Sequence, residues 1–194
     1  MNTPTLVSAA ITPVALFGGA EVAVSRQPAG YSSVHNSISA MAATGANDRW
    51  IMTAALAVVG TGYLLTAVGL AEARTVSRVL LGLGGLATIV VAALPQPNPG
   101  HVPMAGLAFV ALAIWPAVSG VPSWVGGLLA TAVLTILLAW FGVQLAGGWL
   151  GLTERLLAGA QALWPLAVAI VLIRRDRRGR TGRTLHPGEP RAVS

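Results

Sequence analysis

His35, His101 and Glu154 are the residues of this chain best suited to chemistry, and Glu21, Tyr31, Asp48, Arg49, Arg155 and Gln161 are the polar side chains placed to join them. Two imidazoles and a carboxylate make a zinc-type ligand set with a fourth position open for water, which would suit hydrolysis of a lipid-linked substrate. The spacing gives this little local support. No two of the ligands fall at i, i+3 or i, i+4, and neither His-x-x-x-His nor His-Glu-x-x-His occurs. No cofactor other than zinc is implied, and His35, His101 and Glu154 are at once its candidate ligands and the candidate catalytic groups. Ser33, Ser37 and Ser39 flank His35, but without a Gly-x-Ser-x-Gly elbow they read as polar residues of an interfacial segment. The chain has no cysteine and no lysine, which excludes disulfides, thiolate ligands, thiol nucleophiles and Schiff-base chemistry.

Binding chemistry has a second set of candidates: Glu21, Tyr31, Arg49, Arg155 and Gln161. Glu154 and Arg155 follow Thr153, a natural helix N-cap. A glutamate in the first turn is favoured by the helix dipole. An arginine there opposes the dipole, so Arg155 is expected to pair with Glu21 or Asp48, or to hold an anion. Glu21, His101, Glu154 and Gln161 are the four groups expected to lie partly buried at membrane depth, where polar side chains are costly and tend to serve a function.

The elements that must position these groups are apolar. Hydrophobic residues make up 55% of the chain and charged residues 9%, against about a quarter charged in a soluble domain. A spanning helix needs about 20 apolar residues, and six segments qualify: about 5–24, 51–70, 79–94, 102–118, 123–145 and 153–173. The first lacks a positively charged leader and reads as a retained helix. The fold class is therefore an all-α membrane protein, a six-helix bundle over residues 1–173 followed by a basic, disordered cytoplasmic tail over 174–194.

That tail carries Arg174, Arg175, Arg177, Arg178, Arg180, Arg183 and Arg191 against Asp176 and Glu189, which is +5 of the chain's net +6. Short polybasic segments beside a membrane helix stay on the cytoplasmic side. Six spans then place both termini in the cytoplasm of a plasma-membrane protein, with Arg74 and Arg78 on the same side. The remaining polar groups collect at the outer ends. Away from the tail five arginines face four acids, so the basic pI does not signal nucleic acid binding.

Two outer connections are distinctive. Pro95, Pro97, Pro99 and Pro103 predict an extended rather than helical link. In the first loop, Val34, Ile38, Met41 and Ala42 recur at helical spacing opposite Ser32, Asn36 and Ser39, which predicts a short helix lying in the outer interface or capping the bundle. Trp50, Trp124 and Trp149 fall at span ends as interfacial anchors. Twenty-three glycines and many alanines allow close helix approach, within the chain or in a homo- or hetero-oligomer. Pro13, Pro116 and Pro165 could interrupt helices, but without mid-span charges coupled ion transport is not indicated.

The run Tyr31-Ser-Ser-Val-His-Asn-Ser-Ile-Ser-Ala followed by Asp48-Arg49-Trp50-Ile-Met resembles the signature of an uncharacterised bacterial integral-membrane family, domain of unknown function 998. The resemblance continues through His101-Val-Pro-Met-Ala, Trp115-Pro116, Gly151-Leu-Thr-Glu-Arg155 and Trp164-Pro165. It implies six spans and an outer first loop, and supplies no activity. Members often carry an acidic residue near the position of His35-Asn36, where this chain has none. Three functions fit the sequence: recognition of a lipid or other amphiphile headgroup at the outer face, hydrolysis by His35, His101 and Glu154, or packing as a subunit of a membrane complex. Membrane lipids are the expected partners.

Overall fold

Each apolar segment forms one helix: α1 (Thr3–Val24), α2 (Trp50–Gly69), α3 (Thr75–Ala93), α4 (His101–Ser119), α5 (Trp124–Val143) and α6 (Leu150–Thr184). The computed structural model describes residues 3–184, with side chains to residue 178. All six helices are long and apolar enough to cross a membrane, and among the described residues there is no strand. The chain is an all-α membrane protein. The helices run up and down, each packing on its neighbour in sequence, and α6 closes the ring against α1. One end of the bundle holds the loop 25–49, the link 94–100 and the turn 144–149. The other holds residues 70–74, 120–123 and the end of α6.

Packing in a bundle without a hydrophobic driving force depends on close backbone approach, and small residues provide it at each crossing. Gly60 of α2 and Gly85 of α3 face one another. A Cβ on Gly60 would stand 2.5 Å from the Gly85 carbonyl oxygen, and one on Gly85 would stand 2.7 Å from the Gly60 carbonyl oxygen. Between α1 and α2, Thr5 and Thr12 occupy the space that side chains at Gly69 and Gly62 would need. Ser8 between them meets Thr66 hydroxyl to hydroxyl at 2.9 Å. Gly84 admits Leu112 of α4, and Gly127 of α5 lies on the Pro116 carbonyl.

The helix α5 is the exception. Only Gly127 and Leu134 of it are buried, while Val125, Leu128, Leu129, Val133, Ile136 and Val143 are exposed to the surroundings of the bundle. It is attached at two levels. Near residues 120–123, the Ala117 N–H donates to Thr131 Oγ1 at 2.9 Å. Near the long-loop end, Phe141 meets Phe109 edge-on with ring centroids 5.3 Å apart. Leu134 is buried between these attachments; one space borders α5 toward the long-loop end, beside Leu138, Phe141 and Gly142, and another lies between α5 and α6, beside Leu129, Val133, Ala160 and Trp164.

Three expectations need correction. The first loop contains no amphipathic α-helix. Residues 25–49 are a series of turns with a single 3-10 turn at Ser39–Ala42, and Ile38, Met41 and Ala42 insert into the core. The helical spacing was coincidental, because Ser39 is buried beside Ile38 where α-periodicity would turn it away. The link 94–100 is turned rather than extended, with Asn98 Oδ1 accepting from the Gly100 N–H at 2.9 Å. Finally, α6 continues past Ile173 to Thr184. Arginine is a good helix former, so the end of the apolar run carries no stop signal. Glu189 and Arg191 of the basic tail lie outside the described residues.

Candidate functional site

The N-terminal turns of α6 hold the first loop against the bundle. Glu154 is buried and accepts a hydrogen bond from the Ile38 N–H at 2.5 Å, with the Ser39 amide and hydroxyl also turned to its carboxyl group. Arg155 donates from Nη1 to the carbonyls of Ser33 at 2.9 Å, Asn36 at 2.8 Å and Gly151 at 3.0 Å. Its Nη2 donates to the Tyr31 hydroxyl at 2.6 Å. The Leu152 N–H adds a bond to the Val34 carbonyl at 3.1 Å. Gly151 makes this approach possible, since a Cβ there would stand 2.6 Å from the Ser33 carbonyl oxygen and closer still to that of Asn36.

The polar partners of Arg155 are thus loop carbonyls and a phenol, in place of the expected Glu21 or Asp48. A helix N-terminus offers a guanidinium no carbonyls beyond its own first turn, so the loop supplies them. Half-burial raises the Tyr31 phenol above its ordinary pKa, more than the neighbouring Arg155 guanidinium lowers it. The phenol therefore stays protonated at neutral pH and receives the Arg155 hydrogen bond as a neutral group.

Beneath the loop, Glu154 borders two adjoining spaces. The inner one, about 60 Å³, lies among α1, α2, α3, α4 and α6, with Ser39, Tyr63, Thr88, Glu154 and Gln161 in a mainly apolar wall. The outer one, about 380 Å³, lies between α4, α5 and α6 under the loop. Its polar side is formed by Ser37, Ser39, Gln96, His101 and Glu154, and its apolar side by residues such as Val102, Val110, Leu138 and Leu145. Ser39, Ala105, Phe109 and Glu154 line both. The outer volume is within the range of small-molecule sites, about 300–1,000 Å³.

Two buried side chains present unpaired atoms in these walls. His101 is 2% exposed; its Nδ1 lies 2.7 Å from the Leu94 carbonyl oxygen, and its Nε2 has no partner. Gln161 is 1% exposed; its Nε2 donates to the Phe109 carbonyl at 2.9 Å, and its Oε1 has no partner. Buried polar atoms are nearly always hydrogen-bonded, so an orphan on a residue lining a cavity is a group whose hydrogen bond a bound molecule can complete.

Of the four groups expected at membrane depth, His101, Glu154 and Gln161 are buried together at this site. Glu21 is exposed on α1, away from it. Asp48 and Arg49 are exposed where the first loop enters α2. Tyr31 belongs to the loop latch rather than to the cavity wall. His35 is exposed, with Nδ1 hydrogen-bonded to the Gly148 carbonyl, and lines neither space. Among the described residues no three His, Asp or Glu side chains come together as a metal-ligand group. Sequence reasoning missed Gln96, Phe109 and Tyr63. The only available signal was the buried amide of Gln161, which demands a carbonyl opposite but does not say which one.

An all-α bundle of six membrane-crossing helices, with a polar cluster held under a latched loop at one end, defines a polytopic membrane protein. The chain belongs to the family described as protein of unknown function (DUF998), whose model matches residues 9–171. That range runs from within α1 to within α6 and so takes in part or all of each of the six helices. No curated protein and no solved structure matches the chain.

Proposed function

We propose that this protein binds an amphiphile, seating the polar head beside Glu154 and His101 under the first loop and the apolar chain in the groove between α4 and α5. The observation that carries this reading is the pairing of a buried polar cluster containing unpaired atoms with a mainly apolar groove. The groove is lined by Val102, Val110, Leu138 and Leu145, apolar side chains suited to an alkyl chain. Arg155 enters as the residue that holds the loop over the head, because its Nη donors are already engaged.

The test is retention of amphiphile by the full-length protein purified in a mild detergent, measured by native mass spectrometry. Ala105→Phe fills the wall shared by both spaces and should reduce retention by about tenfold or more, the equivalent of about 1.4 kcal/mol. Val125→Trp, on the exposed face of α5, should leave it unchanged. Equal retention in the two variants would rule out this site.

We also infer that the protein resides in the plasma membrane with both termini in the cytoplasm, on the strength of the basic end of α6. Arg74 and Arg78 lie at the same end, Arg74 over the Trp124 ring at 4.6 Å and Arg78 capping the Ala67 carbonyl of α2 at 2.8 Å. Since the chain lacks cysteine, single substitutions report orientation cleanly. In intact cells Asn47→Cys should react with an impermeant maleimide and Ser123→Cys should not; the opposite pattern inverts the topology.

A further inference from the structure

We infer that the head group this site accepts is a hydrogen-bond donor, a primary hydroxyl or amine on a single apolar chain, rather than a carboxylate, phosphate or ester. The inference rests on the amphiphile reading above and follows from the identity of the unpaired atoms. A backbone carbonyl can only accept, so the contact with Leu94 places the hydrogen of His101 on Nδ1. In the neutral ring that leaves Nε2 a buried acceptor without a partner, on a residue that lines the outer space. The same logic orients Gln161. Its amide nitrogen faces the Phe109 carbonyl, so the atom left without a partner is the oxygen, again an acceptor. Between the two lies Glu154, whose carboxyl group already accepts from the Ile38 N–H.

The walls therefore offer acceptors from three side chains, His101 at the outer space, Gln161 at the inner one and Glu154 at both. Next to Glu154 the strong donors are occupied: the Arg155 Nη atoms bind Ser33, Asn36, Gly151 and Tyr31, and the Gln161 amide binds Phe109, which leaves the Gln96 amide and the Tyr63 hydroxyl as other donors in the walls. An anionic or ester head would bring further acceptors against these lone pairs, leaving them unpaired and adding repulsion. A hydroxyl or ammonium satisfies them. A site built to hydrogen-bond a particular group rejects analogues that lack it much more strongly than an apolar pocket rejects a change in length.

The test uses full-length protein freed of retained lipid and four probes of equal chain length: 1-dodecanol, dodecylamine, dodecanoic acid and methyl dodecanoate. Saturable binding is measured by native mass spectrometry. The alcohol, the amine or both should bind at least about tenfold more tightly than the acid and the ester, one hydrogen bond's difference at a desolvated site. Preference for the amine alone assigns an ammonium beside Glu154, and preference for the alcohol alone a neutral hydroxyl; either supports the inference. Saturable binding of the ester or the acid as tight as that of the alcohol and amine overturns it while leaving an amphiphile site standing. Binding by none of the four overturns the amphiphile reading and this inference with it. In Gln161→Met, which keeps the length and removes the acceptor, the preference should narrow by roughly fivefold. Glu154→Gln, which puts donors where acceptors stood, should narrow it further, and an unchanged preference in both well-folded variants also overturns the inference.

Discussion

Replacing Gly85 with leucine is expected to abolish the folded bundle. A Cβ at this position would meet the Gly60 carbonyl oxygen at 2.7 Å, Tyr63 Cβ at 2.9 Å and the Leu64 amide nitrogen at 3.0 Å. Two of those obstacles are backbone and the third is a Cβ, so none can swing aside as the end of a long side chain can. The helices would have to separate, and Tyr63, Val59 and Val91, buried beside this crossing, would separate with them. Overpacking costs about 1–3 kcal/mol where side chains can adjust, and a backbone clash at a helix crossing belongs at or above the top of that range. The measurement is thermal unfolding and monodispersity in detergent, with Gly18→Leu as the control, since nothing lies within 4 Å of a Cβ there. A Gly85→Leu protein that unfolds with the wild type would show that α2 and α3 do not cross at these glycines.

Arg155→Ala should release the first loop while leaving the six helices assembled. The substitution removes four hydrogen bonds from the guanidinium. Bonds to a charged group contribute about 1.5–3 kcal/mol each when judged singly. The released carbonyls of Ser33 and Asn36 regain water, so the net loss is expected at about 3 kcal/mol, confined to the loop. Arg155→Lys should recover only a minor part, because a single ammonium cannot span the three carbonyls and the Tyr31 hydroxyl as a planar fork does. Gly151→Val should reproduce the release by a different route, forcing the loop carbonyls away while keeping the arginine. Hydrogen exchange at Ile38 and Leu152, whose N–H groups bond across the loop–α6 contact, reads the effect directly. Unchanged protection of both amides in Arg155→Ala would show that the loop is held by its buried Ile38, Met41 and Ala42 instead.

The contrast between these two predictions follows from where each contact sits in the chain. Gly60 and Gly85 are on consecutive helices, and glycine-rich apolar helices announce close packing from composition alone. Arg155 reaches partners more than a hundred residues away. From the sequence it was readable as an arginine that needed oxygen atoms, but the acids Glu21 and Asp48 were the visible choices. Carbonyl oxygens belong to every residue, so no pattern of residue types marks Ser33 and Asn36 as the ones that turn toward it.

What the sequence determined by itself was the set of six helices, their approximate limits and four polar groups expected at membrane depth, of which His101, Glu154 and Gln161 are buried and Glu21 is exposed. Apolar length is a local property, and a polar group inside an apolar span is conspicuous wherever the span packs. Tertiary structure alone decided that these three groups border two adjoining spaces, with Glu154 shared by both, while His35, Glu21 and Asp48 lie outside them. It also decided that the first loop folds as turns and that α5, exposed over most of its surface, borders a groove. The physical reason is that an orphaned lone pair, a latch onto backbone carbonyls and a gap between helices are each defined by what is absent or present across a contact between distant segments. Residue type and spacing along one segment carry no information about the other side of that contact.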